Sequence, residues 1–102
     1  MYKVLITELA QRDLDAVMKY VAVQLSNPMA AGDLPDEVEK CYSNLRSNPF
    51  IYARIADARL EKEGYRKALI KNYILFFKVF EDEKKVIVHR IIFGARDYQK
   101  FL

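Results

Sequence analysis

Between residues 64 and 98 the apolar positions fall into three short runs separated by polar punctuation. Runs at 66–70, 73–80 and 86–93 predict three consecutive antiparallel strands. Lys71-Asn72 is a two-residue connection, with Asn72 expected to take the positive φ that a tight hairpin demands. Residues 81–85 form a charged second turn that no buried strand could contain. In the middle run Tyr73, Leu75, Phe77 and Val79 alternate with Ile74, Phe76 and Phe80, and only Lys78 interrupts the pattern. A strand apolar on both faces belongs in the centre of a sheet with cover on each side. The third run places Ile87, Ile91 and Phe93 on one face and Val86, Val88 and Ile92 on the other, with His89 and Arg90 as exceptions.

The first half of the chain must supply that cover. Residues 2–6 alternate weakly and predict a short strand that joins the sheet by long-range pairing. Thr7 can cap a helix over 8–25, whose stripe is Leu14, Val17, Met18, Val21 and Leu25. Ser26-Asn27-Pro28 ends it. Leu34, Val38, Cys41, Tyr42 and Leu45 form a second stripe. Proline in a helix interior costs about 3 kcal/mol, so the pattern predicts a cap at Asp33, Pro35 in the first turn, and a helix over 34–47. Residues 29–32 would be a separate piece, and Asn48-Pro49 a stop. Residues 50–63 read as an ordered loop with one extended stretch at 53–55, and 96–102 as a short tail. The expected fold is a single α+β domain over 1–102: an N-terminal strand, a two-helix hairpin, then a three-stranded antiparallel meander completing one sheet.

Composition narrows the class. A hydrophobic fraction of 52% in 102 residues argues for one folded domain. One cysteine excludes an intramolecular disulfide, and the early charges with no long apolar run point to a soluble cytoplasmic protein without a membrane segment. The net charge of +3 is unevenly spread. Residues 1–50 carry five Lys and Arg against seven Asp and Glu, whereas residues 51–102 carry twelve against seven. The basic half coincides with the strands, and either attracts anionic partners or guards a sheet edge with lysine.

No glycine-rich phosphate loop, nucleophile elbow or histidine pair at metal spacing is present, so no cofactor and no metal is expected. His89, the single histidine, sits mid-strand and reads as structural; Cys41 lies on an apolar stripe and reads as core. What remains is a set of cations and a phenol near the strand ends: Arg59, Arg66, Lys67, Lys71, Arg90, Arg96 and Tyr98. Gathered on one rim, such cations could stabilise developing charge on a phosphate, and a phenol with a lowered pKa could move a proton. As separate residues they would be solvated side chains covering the sheet.

The order strand–helix–helix–strands, with DLDAVMKYVAVQL, GYRKALIKNYILFFKV and RIIFGARDYQKFL, resembles the RelE/ParE superfamily of toxins from type II toxin–antitoxin modules. The most specific pieces are Gly64-Tyr65-Arg66, Asn72-Tyr73, and Arg90-Ile91 followed by Gly94, Arg96, Asp97 and Tyr98. The resemblance implies a growth-inhibiting protein neutralised by a cognate antitoxin, in a complex with two copies of each. RelE-like members cleave mRNA in the ribosome; ParE-like members poison DNA gyrase. On the RelE pattern Lys67 and Arg96 fall at a catalytic lysine and arginine, with Arg66 and Tyr98 as further candidates. Ile74 occupies a position where another catalytic arginine is expected, and the C-terminal tyrosine position falls at about Leu102, with Tyr98 a displaced substitute. An incomplete set favours the ParE-like activity, with Arg59, Arg66, Lys67 and Arg96 contacting the target. A ribosome-dependent endonuclease and a degenerate toxin that retains only antitoxin binding are the alternatives.

Overall fold

The computed structural model of the protein describes residues 1–24, 28–94 and 102. Strand β1 (Lys3–Ile6) leads into α1 (Glu8–Gln24) and α2 (Pro28–Ser47). A 3-10 turn (Pro49–Ile51) and a short helix α3 (Ala58–Lys62) follow, then β2 (Tyr65–Ile70), β3 (Tyr73–Phe80), a second 3-10 turn (Glu81–Glu83) and β4 (Lys85–Phe93). The sheet order is β1-β4-β3-β2; β1 runs parallel to β4, and the other pairings are antiparallel. The α+β class and the strand–hairpin–meander order are those the sequence predicts.

The doubly apolar middle strand explains the layering. Leu75 and Phe77 of β3 face α1 and α2 in the main core, with Ala10, Leu34, Val38, Cys41 and Leu45. Ile74 and Phe76 face the other way, into a smaller core with Ile55, Leu60 and Tyr65. Thr7 starts α1 as expected: the Ala10 amide donates to its Oγ1 at 3.0 Å, and the hydroxyl donates to the His89 carbonyl at 3.1 Å. One residue thereby caps a helix and ties it to the strand on which it packs.

Four expectations are corrected. The helix hairpin's second arm is not split: α2 runs unbroken from Pro28 through Pro35, and Asp33 lies inside it rather than at its cap. Pro35 is on the exposed side, where water can satisfy the freed carbonyl, while Leu34, Val38, Cys41 and Leu45 are buried on the other side. Burial of four such side chains, at about 1.5–3 kcal/mol for a large aliphatic one, outweighs the proline penalty. The segment at 50–63 is not only loop. Asp57 accepts from the Leu60 amide at 3.1 Å and starts α3, placing Leu60 in the smaller core. In the β2–β3 turn the positive φ falls on Lys71 (55°) and not on Asn72, whose carbonyl accepts from the Gly94 amide at 2.9 Å.

The fourth correction concerns β4. Val88 pairs with Phe77, but Arg90 pairs with the preceding Phe76, so His89 is the extra residue of a β-bulge. The bulge reverses the facing of everything after it. Val86 and Val88 share the main core with Ile91, whereas Ile92 packs on the smaller one.

Burial leaves one polar atom uncompensated in α2. The Tyr42 hydroxyl is buried without a hydrogen-bond partner among the described residues, and desolvation pushes its pKa up to about 12. Tyr42→Phe is therefore expected to stabilise the fold by about 1 kcal/mol in urea titrations.

Candidate functional site

Strand β2 carries two of the candidate cations, Arg66 and Lys67, and strand geometry sorts them. Side chains alternate between faces. Ala68 and Ile70 enter the main core, so Arg66 lies on the helix side; Tyr65 enters the smaller core, so Lys67 lies on the opposite side. Arg66 and Lys67, adjacent in sequence, do not converge. A single rim holding both is not formed.

On the helix side, Arg66 Nη1 donates to the Tyr52 carbonyl at 2.8 Å, and its guanidinium stacks 4.9 Å from the Phe50 ring centroid. Arg54 pairs directly with it in an isolated antiparallel bridge. Burial first, and then the charge of Arg54, lower the pKa of Arg66. The two arginines line a cleft of about 200 Å³ with Phe50, Glu61, Gly64 and Tyr65. Arg54 was legible as part of the extended stretch at 53–55; its pairing with Arg66 was not, because that needs the register.

On the other side, Tyr65 is the hub. Lys78 Nζ lies 4.4 Å above its ring centroid, and His89 meets it edge-on at 5.4 Å. Arg59, on α3, is close enough to Tyr65 for its charge to act on the phenol, and it pairs with Glu63 at 2.9 Å. Burial is the main cause that raises the Tyr65 pKa, against the direction that proton transfer at neutral pH would need. Tyr2, Tyr42, Tyr52 and Tyr73 are raised as well. Cys41 is buried and its thiol is pushed up by desolvation, as a core residue should be.

The remaining described candidates, Lys71 and Arg90, lie apart from both. Lys71 sits in the β2–β3 turn at the far end of the strand. Arg90 is bound to Asp13 of α1 by two hydrogen bonds, from Nε at 2.7 Å and Nη2 at 3.0 Å, which raise its pKa. Asp13 also accepts from the Ile91 amide at 3.1 Å, so one carboxylate closes the edge of β4 beyond the reach of β1. Arg96 and Tyr98 lie outside the described residues. Among the described residues no group of His, Cys, Asp and Glu could hold a metal ion, and no helix is long and apolar enough to cross a membrane.

His89 supplies a pH test. Its ring is half-buried in the bulge, its Nε2 has no partner among the described residues, and burial, with Lys78 nearby, lowers its pKa below the ordinary 6.5. The unfolded chain binds a proton more readily than the folded one, so this contribution to stability is complete above pH 6.5 and is lost as pH falls through the folded pKa. The melting temperature is expected to fall between pH 7.5 and 5, with a shallower slope in His89→Gln over the same window.

With the geometry in place, the comparisons define first a class and then a family. The fold matches a chain of the chromosomal ParDE toxin–antitoxin system from P. aeruginosa, at 21% identity and a TM-score of 0.68, over 93% of this chain and 98% of that one. It also matches a chain of the toxin–antitoxin complex RelBE2 from Mycobacterium tuberculosis, at 20% identity and a TM-score of 0.64, over 92% of each. The sequence profile of the ParE toxin of the type II toxin–antitoxin system parDE matches residues 4–98. The chain belongs to that family, within the RelE/ParE superfamily of toxins. No curated protein matches its sequence.

Proposed function

We propose that the chain is a ParE-like toxin that inhibits DNA gyrase by binding it and is held inactive by a cognate antitoxin. The observation that carries this choice is Ile74. At the position where a RelE-like nuclease is expected to have a catalytic arginine, this chain has an isoleucine that is 4% exposed and packed with Phe76, Ile55 and Leu60. A cation cannot serve from there, and the raised phenol pKa values of Tyr65 and Tyr73 leave these two poorly suited to proton transfer. Gyrase inhibition requires a surface rather than a reaction centre, and Arg59, Arg66, Lys67 and Arg96 are its proposed contacts. Among the described ones, Arg66 and Lys67 lie on opposite faces of the edge strand β2 and Arg59 on the adjoining α3, so a target that engages all three must reach around that edge.

The antitoxin would cover apolar surface that the fold leaves open. Tyr20 and Phe93 are exposed beside Ala16, Val17 and Tyr73 in a groove between α1 and the end of the sheet, and Leu69 is 72% exposed on the outer strand. These places suit a segment that folds on binding. The second reading, a ribosome-dependent mRNA endonuclease, is favoured by one observation only. Lys67 shares its face of the sheet with Lys78, Tyr65 and His89.

Controlled expression in bacteria separates the two. The expected result is growth arrest with chromosomal breaks and uncut transcripts. New cuts inside translated messages, with an intact chromosome, would replace the gyrase reading with the nuclease one.

A further inference from the structure

We propose that the cleft between the Pro49–Ile51 turn and the start of β2 docks a carboxylate of an acidic, apolar peptide segment through Arg54 and Arg66. The proposal deepens, and rests on, the reading that an antitoxin is the partner.

Two features of the cleft call for an anion. Arg54 and Arg66 are Cα partners in an antiparallel bridge, the arrangement in which like charges lie closest and destabilise a sheet. The described chain offsets this only weakly. Arg66 makes no ion pair among the described residues; its partners are a carbonyl and an aromatic face. Arg54 has only Glu61, at a loose 4.0 Å, with both side chains at least half exposed. A guanidinium offers five donors in a rigid fork that matches a carboxylate, and most of those on Arg66 are unused. One carboxylate between the two forks would relieve the repulsion and displace Glu61.

The surroundings favour a peptide over a nucleic acid strand. Glu61 beside Arg54 repels a run of phosphates. Phe50 already has Arg66 on one face and Tyr2 against its ring edge-on at 6.2 Å, which leaves little platform for a base. Phe50 and Ile51 are nevertheless 45% and 57% exposed next to the arginines. They offer apolar contact to the residue flanking an Asp or Glu. The occupant is thus a segment in which acidic and apolar residues adjoin.

The test uses the full chain labelled with nitrogen-15 at arginine, following the Nε–Hε signals of Arg54 and Arg66. Three probes are titrated: a capped hexapeptide alternating leucine and glutamate, its leucine–glutamine counterpart, and a short single-stranded oligonucleotide. The glutamate peptide is expected to move both signals saturably, with the glutamine peptide at least about 5-fold weaker. Arg54→Gln, on an exposed side chain, and Arg66→Lys, which keeps the charge but not the fork, should each weaken the glutamate peptide by about 5-fold or more. Unmoved signals, equal response to both peptides, or response to the oligonucleotide alone would overturn the proposal. A second arm separates it from the antitoxin reading. Growth arrest by the parent and by the Arg54→Gln chain, whose altered residue is not among the proposed target contacts, is challenged with the product of a small reading frame encoded beside its gene. If both are neutralised equally, the cleft assignment fails and the antitoxin reading stands. If only the parent is neutralised, while the substituted chain keeps its melting temperature, both stand. If neither is neutralised, the antitoxin reading fails and the proposal resting on it goes too.

Discussion

Asp13→Ala is expected to cost about 3 kcal/mol, the lower end of the range for removing one partner of a buried ion pair, because this pair is largely but not fully withdrawn from water. The Asp13 and Arg90 side chains are only 15% and 17% exposed, and the carboxylate also accepts the Ile91 amide. The substitution removes the carboxylate from a guanidinium and an edge amide at once. For a domain of this size the melting temperature should drop by about 10 °C or more. Asp13→Asn, which keeps acceptors but not the charge, should fall between the two in a urea titration. A loss under about 1 kcal/mol for Asp13→Ala would mean that the pair is solvated and that α1 is held to β4 by apolar contacts alone.

Ile74→Arg carries the second large effect and joins stability to function. It restores the residue type that the nuclease pattern expects, at a position packed inside the smaller core. Burying an unpaired guanidinium costs several kcal/mol, reduced only as far as the side chain can snorkel past Phe76 and Leu60. The expected outcome is a loss of about 3–5 kcal/mol, read by chemical denaturation, and no gain of mRNA cleavage on translating ribosomes. A stable variant that cuts messages would show that the smaller core tolerates a reactive cation, and would remove the main support for a non-catalytic toxin.

The parts of the fold visible in the sequence are those governed by strong local pattern. The two-faced apolar run at Tyr73–Phe80 gave a central strand with cover on both sides, and Thr7 gave the start of α1. The parts that escaped depend on contacts distant in sequence. The facing of Ile91 and Ile92 follows strict alternation only if no residue is inserted, and the bulge at His89 inserts one. Pro35 looked like a helix start because its local penalty is visible while the burial that outweighs it is not. Helix α3 is too short for a periodic signal, though Asp57 three residues before the apolar Leu60 was a usable cap cue.

The candidate site divides in the same way. The basic character of the second half was plain, but a shared rim for Arg66 and Lys67 conflicts with strand geometry that the sequence already contained: neighbours in a strand face apart. The pairing of Arg54 with Arg66 and of Asp13 with Arg90 needed the three-dimensional register.

The most direct measurement is made with purified gyrase, plasmid DNA and the purified chain, in parallel with ribosomes translating a defined message. The expected result is loss of supercoiling and accumulation of cleaved plasmid in the micromolar range of toxin, with the message left whole. A cut message alongside fully active gyrase would contradict it.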